Sequence, residues 1–111
     1  MMQPTVSRNG AVSRGAPRLV ERKSEGNGRE FDLSKDRLTI GRHRESDVFL
    51  EDLAVSRLHT TISHDPSGRY ILRDENSANG TYVNGQRVSE HLLQEGDEVQ
   101  VGQSVLVFTQ R

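Results

Sequence analysis

The chain of 111 residues contains no cysteine. That absence excludes a disulfide framework and leaves no thiolate ligands for a zinc site. No apolar run approaches the length needed to cross a bilayer, and the N-terminal stretch has no apolar centre of the signal-peptide kind. The expectation is a cytoplasmic protein with no membrane partner. Hydrophobic residues make up only 32 % and charged residues 28 %, so a single lean core is expected rather than two domains. No stretch sustains a helical apolar period. The four histidines, His43, His59, His64 and His91, show no paired ligand spacing, and no G-x-S-x-G elbow is present. Neither a metal site, a cofactor nor an esterase-type nucleophile is therefore expected.

Charge of one sign is also missing, but the near balance of -1 is uneven along the chain. Residues 1–30 carry six basic against three acidic side chains, giving +3, and residues 31–111 carry nine against thirteen, giving -4. An acidic domain is a poor general binder of nucleic acid, and an anionic ligand would need a local group of arginines. Residues 1–16 are rich in Gly, Ser, Arg and Asn, with Val6 and Val12 as the branched apolar side chains. Such a stretch cannot offset a backbone ordering cost of roughly 1 to 2 kcal/mol per residue, so a disordered basic tail is expected there. The folded domain is expected over 17–111.

What the chain does have is a succession of short strands. Apolar residues recur two apart at Phe31 and Leu33, Leu38 and Ile40, Tyr70 and Leu72, Val99 and Val101, and Val105 and Val107. Gly26-Asn27-Gly28 is expected to turn the chain between strands at 18–23 and 29–33. Asn84-Gly85 is a strong two-residue hairpin signal, because a type I′ turn needs positive φ at both positions. Gly102-Gln103-Ser104 should reverse the chain before a last strand whose apolar run at 105–108 suits a central, buried place. Many strands with closely spaced turns predict an all-β, antiparallel sandwich or barrel.

One turn organises the candidate site. Asp65-Pro66-Ser67-Gly68 fits a type I turn with Pro second and Gly fourth. The segments on either side then run antiparallel, so the loop entering the first and the loop leaving the second lie at the same end. That brings Ser56, Arg57 and His59 beside Ser77, Asn79, Gly80 and Thr81, at a sheet end where binding residues are common. The same geometry does not place Arg42.

Taken in order, Leu38-Thr39-Ile40-Gly41-Arg42, Ser46-Asp47-Val48, Ser56-Arg57-Leu58-His59, Ser77 to Gly85 and Gly96-Asp97-Glu98-Val99 resemble a forkhead-associated (FHA) domain. The similarity runs from about Pro17 onward and is nearest to bacterial FHA domains that work beside Ser/Thr kinases. It implies a sandwich of about eleven strands whose loops bind phosphothreonine peptides, a recognition mode built on arginine clusters. It implies that Arg42, Ser56 and Arg57 meet the phosphate and that Asn79 holds the ligand main chain. Gly41, His59, Gly80 and Asn84 are implied as structural support, His59 as an internal brace rather than a ligand. The partners implied are phosphothreonine-bearing proteins, namely a Ser/Thr kinase or its substrates. Thr5, once phosphorylated, would be a ligand within the same chain.

The chain departs from the family at Ala78, where many members carry a hydroxyl that donates to the phosphate. The backbone N–H groups of Ser56 and Ala78 are expected to add donors, and Arg57 to stand in for the missing hydroxyl. Two rival readings remain. Ser56, His59 and Asp74 could form a hydrolase triad, although a Ser three residues from a His guarantees no bond between them. Alternatively the sandwich could be a scaffold that binds partners regardless of phosphorylation.

Overall fold

The computed structural model describes residues 16–111. Thr5 and all but the last residue of the expected tail lie outside the described residues. Eleven strands follow one another: β1 Arg18–Lys23, β2 Gly26–Asp32, β3 Arg37–Gly41, β4 Val48–Phe49, β5 Thr60–His64, β6 Tyr70–Asp74, β7 Thr81–Val83, β8 Gln86–Val88, β9 Glu90–Leu92, β10 Glu98–Val101 and β11 Ser104–Thr109. They form two sheets, ordered β2-β1-β11-β10-β7-β8 and β4-β3-β5-β6-β9. The all-β sandwich is thus the observed architecture, and no helix among the described residues is long and apolar enough to cross a membrane.

The period-two pattern explains the core. Leu19, Val83, Val99, Val101, Leu106 and Phe108 enter it from the first sheet, and Leu38, Ile40, Val48, Ile62 and Leu72 from the second. Burial of such side chains at about 25 cal/mol per Å² of apolar area is the main force holding the sheets together. The last strand, β11, lies between β1 and β10, as expected for a central strand. Its outer residues Val105 and Val107 are nonetheless only half-buried, because none of the described residues covers that face as the opposite sheet covers Leu106 and Phe108.

The turns at 65–68 and 84–85 form where expected. Gly68 N–H donates to the Asp65 carbonyl at 2.9 Å, closing the turn between β5 and β6. Asn84 and Gly85 take φ of 52° and 85°, the left-handed pair that a type I′ turn requires. The reversal near 102 uses Gly102 and Gln103 alone, Ser104 already pairing with Val101.

Two expectations are corrected. The first hairpin turns at Ser24-Glu25, with Lys23 paired to Gly26, and Gly26-Asn27-Gly28 belongs to β2. The register shift between Val20 and Arg22 gives the physical reason. Glu21 points inward by alternation with Leu19, and the extra residue lies opposite it in β2, at Gly28-Arg29, where the carboxylate fills the space over Gly28; a Cβ there would meet Glu21 Oε1 at 2.6 Å. Nor is every pair antiparallel, since β4 runs parallel to β3, with Ile40 opposite Val48. Asp47 folds the chain back at this point, its Oδ2 accepting from Thr39 N–H at 2.8 Å and Thr39 Oγ1 at 3.1 Å.

Candidate functional site

The β5–β6 ladder pairs Thr60 with Asp74, so the loop before β5 and the loop after β6 share one end of the sandwich. Several contacts join them directly. Ala78 N–H donates to Ser56 Oγ at 3.0 Å, His59 Nε2 lies 2.8 Å from the Gly80 carbonyl, and Thr60 and Thr81 hydroxyls are 2.8 Å apart. Thr81 Oγ1 donates to Asp74, so its bond with Thr60 uses the Thr60 proton.

Arg42 reaches the same end through β3. Strand β3 pairs antiparallel with β5, Ile40 opposite Thr60, which sets the exit of β3 beside the entry to β5. The pairing continues past the strands, with Arg42 N–H donating to the Ser56 carbonyl at 3.0 Å and His43 N–H to the Arg57 carbonyl at 3.2 Å. Gly41 permits this close approach, because a Cβ at that position would collide with the Arg57 carbonyl oxygen. Arg42 Nε donates to the Val55 carbonyl at 2.9 Å, which fixes the side chain while its terminal nitrogens have no hydrogen-bond partner among the described residues.

His59 is completely buried and braces both loops. Ser56 N–H donates to His59 Nδ1 at 3.0 Å, so that nitrogen carries no proton and Nε2–H donates to the Gly80 carbonyl. Gly80 itself takes φ of 91° and donates its N–H to Ser77 Oγ at 2.9 Å. Asp74 fixes that serine, accepting from Ser77 Oγ at 2.5 Å and Thr81 Oγ1 at 2.7 Å. Burial alone would raise the Asp74 pKa, but these hydrogen bonds outweigh it and hold the carboxyl below its ordinary value.

The loop from Glu51 to Ser56 is pinned from two sides. Asn79 Nδ2 donates to the Ala54 carbonyl at 2.8 Å, and Asp52 accepts from Gln103 N–H at 2.9 Å and Ala54 N–H at 2.9 Å. Those two backbone donors keep the Asp52 carboxyl below its ordinary pKa. A groove of about 520 Å³ lies along the loops, lined by Arg42, His43, Arg44 and Arg57, by Glu51 and Asp52, and by Phe49 and Leu53. Ser56, Ala78 and Asn79 are not in its lining but are hydrogen-bonded to the loops that form it.

The arginines of this groove differ from five of the eight other described arginines. Arg18, Arg22, Arg29, Arg69 and Arg73 are each ion-paired to a carboxylate. Among the described residues, Arg42, Arg44 and Arg57 have no carboxylate within 4.0 Å. Arg44 and the Leu53 side chain, 92 % exposed, were not singled out by the sequence reading. The available signal for Arg44 was its place two residues beyond Arg42.

Several expected contributions change. The backbone N–H of Ser56 is committed to His59 and that of Ala78 to Ser56 Oγ, so neither is free for an anion. The Ser56 hydroxyl accepts from Ala78 and retains its own proton to donate. Asn84 stands at the far end of β7 from Gly80; its Nδ2 donates to Asp97 at 2.9 Å and its Oδ1 accepts from Glu98 N–H at 3.0 Å. It supports the β7–β8 turn rather than the loop pair. The hydrolase arrangement does not form, because neither ring nitrogen of His59 meets Ser56 Oγ or Asp74.

The family model of the FHA domain matches residues 38–102. The chain belongs to the FHA domain family. That match leaves out β1, β2 and all of β11, which hydrogen-bond into the same sheet as β10 and β7. Among curated relatives of this FHA chain, the oxoglutarate dehydrogenase inhibitor of Corynebacterium diphtheriae is 43 % identical over 94 residues, 85 % of this chain and 65 % of that protein. The glycogen accumulation regulator GarA of Mycolicibacterium smegmatis is 40 % identical over 94 residues, 85 % of this chain and 59 % of that protein. The chain thus spans under two thirds of the length of these relatives. An FHA domain solved in a structural and functional analysis of phosphothreonine-dependent FHA domain interactions is similar with a TM-score of 0.74. It is 33 % identical, and the match covers 85 % of this chain and 97 % of that one.

Proposed function

We propose that this chain is a phosphothreonine-peptide-binding module acting as an adaptor or regulator in Ser/Thr kinase signalling. The observation that carries the proposal is the convergence of Arg42, Arg44 and Arg57 on one groove with no carboxylate partner among the described residues. A phosphothreonine brings about -1.5 to -2 charges and three acceptor oxygens, which such a set of fixed donors complements. In this reading Arg42, Arg57 and the Ser56 hydroxyl hold the phosphate. Asn79 offers its carboxamide oxygen and remaining N–H to the ligand main chain. Gly41, His59 and Gly80 keep the loops in register. The similarity to a domain of phosphothreonine-dependent interactions supports the same ligand class.

The ligands fall in the class of phosphothreonine-bearing kinases and kinase substrates, and a phosphorylated Thr5 of the same chain belongs to that class. The activity is recognition, not catalysis. Calorimetric titration with a phosphothreonine peptide and its unmodified threonine twin tests this. Binding of the phosphopeptide alone is expected. Equal affinity for both peptides would replace the proposal with the phosphorylation-independent scaffold.

A further inference from the structure

We propose that Arg87 is a specificity-determining residue of the loop end, selecting ligands with an acidic side chain near the phosphothreonine on the side that passes Asn79. The inference rests on the phosphothreonine reading above and names what that site selects. Arg87 stands on β8 opposite Tyr82, and since Thr81 and Val83 point into the core, Tyr82 and Arg87 share the outer face.

The guanidinium lies over Gly80. A Cβ at Gly80 would come within 2.7 Å of Arg87 Nε and 3.0 Å of its Cζ, so the arginine occupies the space that a side chain there would fill. Gly80 directly follows Asn79, which places a planar cation one residue from the carboxamide assigned to the ligand main chain. Arg87 is exposed, and no carboxylate among the described residues lies within 4.0 Å of it. It therefore shares the unpaired state of Arg42, Arg44 and Arg57, although it comes from the other sheet.

A guanidinium fork suits a carboxylate, which it can meet through two parallel N–H donors. An extended ligand advances about 3.3 Å per residue, so a side chain within about three residues of the phosphothreonine can reach Arg87 once the main chain runs beside Asn79. The contact is at the rim of the site and solvent-exposed. Its effect is accordingly a preference among phosphopeptides rather than a condition for binding.

The test is selection from a peptide library with phosphothreonine fixed at the centre and all flanking positions degenerate, using the wild type, Arg87→Gln and Arg87→Glu. The wild type should enrich Asp and Glu about two- to fivefold at one flanking position. Arg87→Gln should lose that enrichment, and Arg87→Glu should favour Lys and Arg there. No acidic preference in the wild type, or one that survives unchanged in Arg87→Gln, would overturn the assignment. A parallel library with unmodified threonine separates the two levels of the argument. Equal retention of both libraries by the wild type would overturn the phosphothreonine reading itself. Retention of the phosphorylated library alone, without acidic enrichment, would overturn only the role of Arg87.

Discussion

Two arginines of one sandwich are used in opposite ways. Arg29, on β2, is engaged through every side-chain nitrogen: its Nε and backbone N–H bind Glu21 Oε1 at 3.0 and 3.1 Å, and its Nη2 binds Oε2 at 3.0 Å. Its remaining nitrogen Nη1 reaches across to the Phe49 carbonyl of β4 at 3.2 Å, tying the edges of the two sheets together. The side chain of Arg42, on the loop after β3, makes one hydrogen bond among the described residues, through Nε to the Val55 carbonyl, and its terminal nitrogens meet no carboxylate there. A cation held to a buried carboxylate through several donors contributes to stability and has its charge already matched within the fold. One whose side chain is anchored but whose terminal donors are unmatched contributes little to stability and is ready to receive an anion.

The sharpest way to break this contrast is to titrate the structural end. The hydrogen bond from Arg29 holds the Glu21 carboxyl well down, from an ordinary value of 4.5 to about 2, against the opposing effect of burial. A carboxyl depressed in the folded state stabilises fully above its unfolded value, and that stability is lost as pH falls through the folded one. Denaturant unfolding should therefore show up to about 3 kcal/mol lost from this group between about pH 5 and 2. Glu21→Gln should flatten that part of the acid limb and leave phosphopeptide affinity at pH 7 unchanged. An acid limb of the same steepness in Glu21→Gln would move the cause to other carboxylates.

At the open end the order of effects reverses. Arg42→Ala should weaken phosphopeptide binding by about 1.5 to 3 kcal/mol, or tenfold to more than a hundredfold, while thermal unfolding changes little. Undiminished affinity in the folded variant would remove Arg42 from the site. Asn79→Ala should reduce affinity by about 1 to 2 kcal/mol through lost main-chain contacts, with a salt dependence close to that of the wild type. If the salt dependence disappeared, Asn79 would belong with the phosphate donors. The smallest effect concerns the missing hydroxyl. Ala78 is exposed, so Ala78→Thr should add a donor and tighten binding by about 0.5 to 1.5 kcal/mol. With the Ser56 and Ala78 backbone N–H groups already committed, Arg57 has more of the phosphate to satisfy. Arg57→Ala should therefore cost more with Ala78 than with Thr at that position, and strict additivity in calorimetry on the four variants would deny the compensation.

How far these features could be read from sequence depends on the distance over which each is determined. The turn at Asp65 to Gly68 is local chemistry, and once it was recognised the meeting of Ser56 with Ala78 followed from antiparallel pairing alone. Arg42 needed the β3–β5 register, a long-range pairing that no turn connects, so only the family resemblance indicated its place. Arg44 and Arg87 are visible as residues but not as unpaired cations, because pairing is a property of every neighbour at once. Gly26-Asn27-Gly28 has the composition of a turn yet lies within β2 for a related reason. Gly28 makes room for the buried Glu21 carboxylate, opposite which β2 carries an extra residue. The commitment of the Ser56 N–H to His59 likewise depends on which ring nitrogen faces the loop, which no residue type specifies.

The difference between closed and open arginines can be observed directly in the arginine Nε–Hε signals of an isotope-labelled chain during titration with a phosphothreonine-centred peptide pool. Arg42 and Arg57 should shift in saturable fashion together with the Asn79 side-chain amide, Arg29 should stay in place, and the unmodified threonine pool should move none of them. Shifts centred on Arg29 and β2, with Arg42, Arg57 and Asn79 unmoved, would contradict the account.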